Sequence, residues 1–143
     1  MEEKIQIVDH LTGEPTGEIV TRTELFKRQL WCRSTNIFVM NAEGQILCHK
    51  RSADKERFPG VWSTHFGGHV GEGESFRINA IKELQEEIGL TVPIFQMLPW
   101  RTSCKEKARL WMRDFLTVYN GPLENLTMQS TEVDELAWFS PNE

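Results

Sequence analysis

The sequence has no apolar run long enough to span a membrane, which needs about 20 consecutive apolar residues. Its first residues, Met1–Lys4, are charged and precede a short alternation of polar and apolar residues, with no apolar signal core. Cysteine is scarce: the chain has 3, far apart and without a C-x-x-C pair, which argues against a disulfide framework or a structural zinc site. These absences predict a soluble protein of the reducing cytoplasm.

Positive charge is also in short supply. The chain has 16 Lys and Arg against 21 Asp and Glu, which gives a net charge of −5. A protein that binds a nucleic-acid polymer usually presents a basic face, so this balance argues against such a partner. Apolar residues make up 39% and charged residues 26% of the 143 positions. This composition predicts one globular domain, residues 1–143, with a hydrophobic core.

Short apolar segments alternate with turn residues along most of the chain. Strands are predicted at or near Ile5–Val8, Ile19–Val20, Ile37–Met40, Gln45–Lys50, Val61–Trp62, Val92–Leu98, Ala108–Tyr119 and Glu135–Phe139. The alternation in Ala108–Tyr119 suits a half-buried antiparallel strand. Arg22–Leu30 fits either a short helix or an extended segment, and Ser140–Pro141 could begin another helix. The order predicts an α/β fold, in which a mixed α+β sheet surrounds one strong helix.

That helix is predicted over Ser75–Ile88, with Ser75 as its N-cap and Gly89 just beyond its last turn. Helical spacing gives it one apolar face, formed by Ile78, Ile81, Leu84 and Ile88.

Three carboxylates of the same helix, those of Glu83, Glu86 and Glu87, are three and four residues apart and share one side. Their like charges should destabilise the helix by a few tenths of a kcal/mol per pair. A hard divalent cation with oxygen ligands would offset that repulsion, and Mg²⁺ suits a site that shares its shell with phosphates. The simpler alternative is a solvated acidic helix face.

The spacing around these glutamates resembles the signature box of the Nudix hydrolase superfamily. Gly68 is followed by five residues and Glu74, then by seven residues and Lys82–Leu90, which reads K-E-L-Q-E-E-I-G-L. In the family pattern, the segment that corresponds to Lys82–Leu90 reads Arg-Glu-aliphatic-x-Glu-Glu-x-Gly-aliphatic. Eight of its nine specified positions match, and the exception is Lys82, where the family has arginine.

The resemblance implies a Nudix-type α/β/α sandwich with a loop–helix–loop metal site over residues 68–90. The implied ligands of Mg²⁺ or Mn²⁺ are Glu83, Glu86, Glu87 and the Gly68 carbonyl, and the three glutamates are also the implied catalytic residues. Glu74 and Lys82 would form a supporting pair that orients the helix. Lysine weakens that support, because an ammonium group cannot make the planar two-bond contact of a guanidinium.

The implied activity is metal-dependent hydrolysis of an acid anhydride: cleavage of a diphosphate linkage in a nucleoside diphosphate derivative or a related small molecule, by a monomer or homodimer. A bound cation would polarise the diphosphate and lower the pKa of a water molecule. A carboxylate would then take the water proton. Glu83 is the first candidate for this base, and the other candidates are Glu106, Glu124 and Glu132.

A broader resemblance points to the isopentenyl diphosphate isomerase-like branch of the superfamily. It rests on the segments Ile7–Asp9, Thr12–Glu14, Leu30–Arg33, Lys50–Arg51 and Phe58–Trp62, with Lys55. In that branch basic residues after the strand hold the diphosphate, so Arg51 and Lys55 are candidate substrate contacts. The alternative is that both belong to a solvated loop.

Isomerase activity is the rival function that this branch raises. By this resemblance, the catalytic cysteine of the isomerase aligns with Gly67, and one of the isomerase's metal-binding histidines aligns with Cys32. Of these isomerase residues, only the histidine at position 69 is present in this sequence. Glycine cannot transfer a proton, and isomerase activity is therefore disfavoured. A non-catalytic ligand-binding Nudix module is a further alternative, which the intact glutamates argue against.

For some histidines and aromatic residues, the sequence leaves open whether they contact a ligand or pack in the protein. His65 and His69 flank the loop glycines and could touch metal or substrate, although packing is the simpler expectation. Trp62 and Phe66 are expected in the core or a pocket wall. Stacking on a nucleobase is an open alternative to packing for Trp31, Trp100, Trp111 and Trp138.

Overall fold

Nine strands and two α-helices form within residues 2–55, 58–91, 96–99, 101–105, 108–129 and 133–142, which are the residues that the computed structural model describes. The strands are β1 Lys4–Val8, β2 Pro15–Thr21, β3 Trp31–Met40, β4 Ile46–Arg51, β5 Trp62–Ser63, β6 Gln96–Met97, β7 Arg101–Lys105, β8 Ala108–Val118 and β9 Val133–Phe139. The helices are α1 Arg22–Arg28 and α2 Phe76–Ile88, and Leu123–Asn125 form a 3₁₀ turn.

β3 is the central strand of the sheet. It runs parallel to β8 along its whole length, from Trp31 beside Arg109 to Met40 beside Val118. On its other edge it is antiparallel to β1 and β4. β2 extends the sheet beyond β1, β5 and β9 pair with β4, and β6 and β7 pair with β8. This mixed sheet confirms the predicted α+β class.

The strand predicted over Ala108–Tyr119 is present, but its expected antiparallel pairing is only half right. β8 is parallel to β3 and antiparallel to β6 and β7. Alternation along a strand indicates which side chains face the core, but it does not indicate which strand lies alongside.

Two apolar clusters hold the helices against the sheet. The larger one joins α2 to the central strands and consists of Ile37, Val39, Leu47, Phe66, Val70, Phe76, Ala80, Leu84, Ile88, Leu90 and Phe115. The smaller one joins α1 to β1, β2 and β3 and consists of Ile5, Ile7, Val20, Leu25 and Cys32. The N-terminal hairpin thus packs on the same sheet that carries α2.

The helix α2 has the predicted ends, but the prediction of its apolar face is partly wrong. Ser75 accepts a hydrogen bond from the Ile78 N–H, and Gly89 ends the helix in the left-handed conformation. Leu84 and Ile88 are buried as expected, whereas Ile78 and Ile81 are 55% and 40% exposed. Phe76 anchors the buried face instead, and a residue two positions after it points almost to the opposite side of a helix.

The segment left open between helix and strand, Arg22–Leu30, forms α1. The Thr21 hydroxyl accepts from the Glu24 N–H, and Gln29 ends the helix with a positive φ of 52°. No helix begins at Ser140–Pro141 within the described residues, where Pro141 and Asn142 form a turn. The part of the predicted strand Val92–Leu98 that precedes Gln96 lies outside the described residues.

No helix within the described ranges is long and apolar enough to cross a membrane. The three cysteines are free: Cys32 and Cys48 are buried, and Cys104 is exposed.

Candidate active site

The glycine loop between β5 and α2 lies directly against β3. Ile37 and Phe66 exchange two backbone hydrogen bonds of 2.7 and 3.0 Å, and the Thr35 N–H donates to the Gly68 carbonyl at 3.0 Å. The Val70 N–H donates to the Arg33 carbonyl at 2.9 Å. The loop therefore has a fixed position relative to the central strand, and the sheet sets where its backbone groups point.

Gly67 lies at the closest approach of this loop to β3. Its φ is +144°, and a Cβ at this position would lie 1.9 Å from the Thr35 carbonyl oxygen. No L side chain fits there without moving the strand or the loop. The resemblance to the isomerase branch puts a cysteine at this position, and the backbone at Gly67 has no room for its side chain.

Gly68 lies against the side chain of Glu83. A Cβ on Gly68 would be 2.8 Å from the carboxyl carbon and from Oε1 of Glu83. The Gly68 carbonyl already accepts the Thr35 N–H, and a carbonyl oxygen has a second lone pair available for a cation. The absence of a side chain at position 68 thus lets the carboxylate approach the loop backbone.

The three glutamates of α2 differ in exposure. Glu83 is half-buried, Glu86 is exposed, and Glu87 is only 8% exposed. Burial raises the pKa of Glu83 to about 7, an effect that Lys82 opposes and that Glu86, Glu3 and Glu74 reinforce. Within the described residues, no three His, Cys, Asp or Glu side chains are gathered closely enough to hold an ion as they stand.

The groups around Gly68 nevertheless fit a hard divalent cation. They are oxygen donors, which Mg²⁺ and Mn²⁺ prefer to sulfur. Glu83 is desolvated, so a cation beside it would relieve the cost of its negative charge. The backbone of Gly68 lies next to that carboxylate, and a single Cβ added to Gly68 would fill the space between them.

The pair predicted to support the helix is in contact. Lys82 Nζ lies 2.7 Å from Glu74 Oε2. Glu74 Oε1 accepts from the Gly71 N–H at 2.6 Å and from Asn79 Nδ2 at 3.1 Å. Burial raises the pKa of Glu74, but the hydrogen bonds from Lys82, Gly71 and Asn79 outweigh it, so that this pKa lies below its ordinary value.

Asn79 is a site residue that sequence reasoning missed. Its side chain is fully buried and bonds to Thr35, His69 and Glu74. The available signal was an amide at an inward position of α2, one turn before Glu83. A buried amide is costly unless it is fully hydrogen-bonded, which makes it informative where it occurs.

A cavity of about 590 Å³ opens beside the glycine loop. Its wall includes Gly68, Glu87, Arg22, Arg51, Trp62 and Phe58. Arg51 thus shares a cavity with part of the predicted metal site, whereas Lys55 lies outside the lining. Arg22, the first residue of α1, was missed because its segment had no assigned structure.

The two loop histidines have different environments. His65 lines the cavity, its backbone carbonyl accepts from His49 Nε2 at 2.7 Å, and burial lowers its pKa. His69 lies edge-on to the Phe26 ring with a centroid distance of 5.9 Å.

Among the tryptophans that the structure describes, Trp62 lines the cavity, and its ring stands edge-on to Phe139 with a centroid distance of 5.2 Å. Trp31, Trp111 and Trp138 lie elsewhere: Trp31 beside His10, Trp111 against Gly13, and Trp138 on the larger apolar cluster. Phe66 is in the core. Glu124 is exposed in the 3₁₀ turn, while Trp100, Glu106 and Glu132 lie outside the described residues.

The chain was compared with models of known protein families. Residues 30–143 match the family model described as the NUDIX domain. The chain belongs to the Nudix family. Nudix hydrolases act on pyrophosphate bonds of nucleoside diphosphate derivatives and generally use divalent metal ions.

Curated relatives of this Nudix chain include two bacterial proteins. An uncharacterized Nudix hydrolase of Pseudomonas aeruginosa is 31% identical over 127 residues, which cover 89% of this chain and 73% of that protein. The uncharacterized Nudix hydrolase YfcD of Escherichia coli K12 is 31% identical over 131 residues, covering 89% and 71%. An isopentenyl-diphosphate Delta-isomerase of Paenarthrobacter aurescens is 30% identical over 107 residues, covering 73% and 58%.

Solved structures share the fold. DR0079 from Deinococcus radiodurans superposes with a TM-score of 0.72 at 20% identity, over 98% of this chain and 85% of that one. A MutT protein from Methanosarcina mazei Go1 gives a TM-score of 0.66 at 22% identity, over 77% of each chain. At these identities the likeness concerns the fold alone.

Proposed function

We propose that this Nudix chain is a Mg²⁺- or Mn²⁺-dependent hydrolase of a diphosphate linkage in a nucleoside diphosphate derivative or a related small molecule. The observation that carries the proposal is the contact between Gly68 and the Glu83 carboxylate at the edge of a cavity that also contains Glu87 and Arg51. Of the proposed oxygen ligands, Gly68 and Glu87 thus line one space of ligand size together with the cationic side chain of Arg51.

In this proposal the metal ligands are Glu83, Glu86, Glu87 and the Gly68 carbonyl. When bound, the cation supplies charge neutralisation on the diphosphate and a water molecule of lowered pKa. Glu83 would accept the proton of the attacking water, because its carboxylate lies against the loop backbone at Gly68, beside the proposed metal position. Lys82 and Glu74 hold the start of α2 against the loop, which keeps these carboxylates in place.

The substrate would lie along the cavity away from the glycine loop. Arg51 is placed to bind the diphosphate with the two parallel hydrogen bonds that a guanidinium offers, and Arg22 is a second cation on the same wall. Phe58, Val61 and Trp62 form an apolar, partly exposed part of the lining that suits the remainder of a small molecule.

We treat residues 1–143 as one domain, because β1 pairs with β3 and Arg22 of the N-terminal segment lines the cavity. The proposal has a monomer or homodimer working on a small molecule in the cytoplasm, where free thiols persist.

A substrate panel tests the proposal. The purified chain would be incubated with Mg²⁺ or Mn²⁺ and nucleotide sugars, dinucleoside polyphosphates, coenzymes, oxidised nucleotides and isopentenyl diphosphate, with products separated by chromatography. We expect cleavage at a diphosphate linkage for at least one nucleoside derivative and no isomerisation of isopentenyl diphosphate. Binding without turnover across the panel would favour the non-catalytic module, and isomerisation would overturn the assignment.

A further inference from the structure

We propose that Asn79 is a positioning residue for the metal-binding glutamates, and that it makes a lysine sufficient where the family pattern has arginine. This inference rests on the proposed function, because the geometry it explains is that of the proposed metal site. The residue lies on α2 one turn before Glu83, with its side chain fully buried. It is not among the specified positions of the family pattern.

The orientation of the Asn79 amide is fixed by its partners. Its Nδ2 donates to the His69 carbonyl at 3.0 Å and to Glu74 Oε1 at 3.1 Å. Both partners are pure acceptors, so the nitrogen must face them and the oxygen must face Thr35. Thr35 Oγ1 donates to that oxygen at 2.6 Å. One side chain therefore joins α2 to the central strand, to the glycine loop and to Glu74.

The oxygens of Glu74 are divided between different donors. Oε1 accepts from the Gly71 N–H and from Asn79, which occupies its two lone pairs. Oε2 accepts from Lys82 at 2.7 Å. A guanidinium at position 82 makes its two parallel bonds only when both carboxylate oxygens are open to it. With Oε1 already taken, a single ammonium contact completes the set.

This arrangement bears on the metal site through Thr35. The Thr35 N–H donates to the Gly68 carbonyl, while its hydroxyl donates to Asn79. The same residue thus fixes a proposed ligand in the loop and the helix turn that precedes Glu83. The side chain of Glu83 lies close against Gly68, and we expect this spacing to depend on the connection through Thr35 and Asn79.

Two consequences follow for substitutions. Asn79→Ala removes the connection between loop, strand and helix, so Mn²⁺ binding should weaken about tenfold or more. Lys82→Arg should not improve binding while Asn79 is present. In the Asn79→Ala background, however, Oε1 becomes open, and Lys82→Arg should recover at least threefold of the lost affinity by contacting both oxygens.

The experiment measures Mn²⁺ binding without substrate, from the electron paramagnetic resonance signal of free Mn²⁺. The variants are wild type, Asn79→Ala, Lys82→Arg and the double variant, with Gln85→Ala as the matched control of an amide on the exposed side of α2. Thermal melts establish that each variant is folded at the binding temperature. Gln85→Ala should bind Mn²⁺ like wild type.

The outcomes separate this inference from the proposed function. If wild type binds no Mn²⁺, the proposed metal-dependent function fails. If wild type binds but Asn79→Ala binds equally well, or if Lys82→Arg alone binds at least threefold more tightly, the role of Asn79 is overturned. The Lys82→Arg arm can overturn the inference even if Asn79→Ala does not fold. Recovery by Lys82→Arg only in the absence of Asn79 is the result that a merely structural role does not give.

Discussion

Gly68 and Glu83 are in contact between loop and helix: a methyl group on Gly68 would lie 2.8 Å from the Glu83 carboxyl carbon. The φ of Gly68 lies outside the left-handed region, so alanine is compatible with its backbone. Gly68→Ala should therefore fold but push the Glu83 carboxylate away from the loop. We expect Mn²⁺ affinity and turnover to fall about tenfold or more, with little change in melting temperature.

Two comparisons sharpen this prediction. Gly67→Ala, where the added Cβ would strike the Thr35 carbonyl oxygen, should destabilise the fold itself. In a Glu83→Ala background, Gly68→Ala should have almost no further effect on metal binding, because the displaced carboxylate is already absent. An equal effect of Gly68→Ala in both backgrounds would show that Gly68 acts through another group.

The carboxylates of α2 should carry the activity. Glu83→Gln and Glu87→Gln keep the side-chain volume but remove the negative charge, so turnover should fall a hundredfold or more, about 3 kcal/mol in the barrier. Glu72→Gln, in the exposed part of the loop, is the matched control and should retain activity. Steady-state rates measure the effect, and circular dichroism checks that the variants are folded. Near-normal rates for both Glu83→Gln and Glu87→Gln would place the metal site elsewhere.

The position of Glu87 changes how its variant is interpreted. The simple expectation is that all three glutamates lie on a solvent-facing stripe, but Glu87 is buried at the cavity wall. Glu87→Gln can thus alter stability as well as activity. A melting curve is needed beside its rates, whereas Glu86→Gln changes an exposed side chain.

Hydrolysis should require a divalent cation. Excess chelator should abolish turnover of whichever diphosphate substrate the panel reveals, and added Mg²⁺ or Mn²⁺ should restore it. The physical reason is that the cation supplies a water molecule of lowered pKa and neutralises the charge that develops on the diphosphate. Rates measured in excess chelator and after replenishment check this, and full turnover in chelator would remove the proposed mechanism.

Much of the helix and the loop could be predicted because their signals are local. Ser75 and Gly89 mark the ends of α2 through contacts within a few residues, and the spacing from Gly68 to Leu90 resembles a known box. The pairing of β8 with β3 was not predictable in this way. This pairing joins residues that are far apart in the chain, such as Trp31 and Arg109. The alternation of buried and exposed side chains is the same whether the neighbouring strand is parallel or antiparallel.

The polar network of the site was only partly predictable for a related reason. Lys82 and Glu74 were expected to pair because the family pattern names both positions. Asn79 was not expected, since its partners Thr35 and His69 come from other segments that only the folded sheet brings together. Likewise, Ile78 and Ile81 have helical spacing with the core residues, but packing on the sheet selected the face that contains Phe76.

Arg51 and Lys55 should differ in their contribution to substrate binding. Arg51 lines the cavity and Lys55 does not. Arg51→Ala should raise KM about tenfold or more with a smaller change in kcat, as expected for the loss of a charge-assisted hydrogen bond worth about 1.5–3 kcal/mol. Lys55→Ala removes the same charge from the neighbouring loop and is the matched control. Equal effects on KM would mean that the phosphate-binding surface extends beyond the cavity lining.

The ion pair between Arg101 and Asp114 should make stability depend on pH. Arg101 Nε and a terminal guanidinium nitrogen donate to the two Asp114 oxygens at 2.7 and 2.9 Å, and Asn36 Nδ2 donates to Oδ1 at 3.0 Å. Burial raises the pKa of Asp114, but these hydrogen bonds outweigh it, so its pKa in the folded protein lies below the ordinary value.

A carboxyl whose pKa is lowered by folding stabilises the protein when ionised. That stabilisation is fully present above the unfolded pKa of about 3.9 and is lost as pH falls through the lower, folded value. Asp114→Asn should therefore reduce the free energy of unfolding by about 1–3 kcal/mol at pH 7, and its difference from wild type should shrink below about pH 4. Urea unfolding from pH 7 down to pH 3 measures this. Asp54→Asn, at an exposed position, should change the value at pH 7 by less than about 0.5 kcal/mol. A difference between Asp114→Asn and wild type that stays constant down to pH 3 would show that the hydrogen bonds do not depend on ionised Asp114.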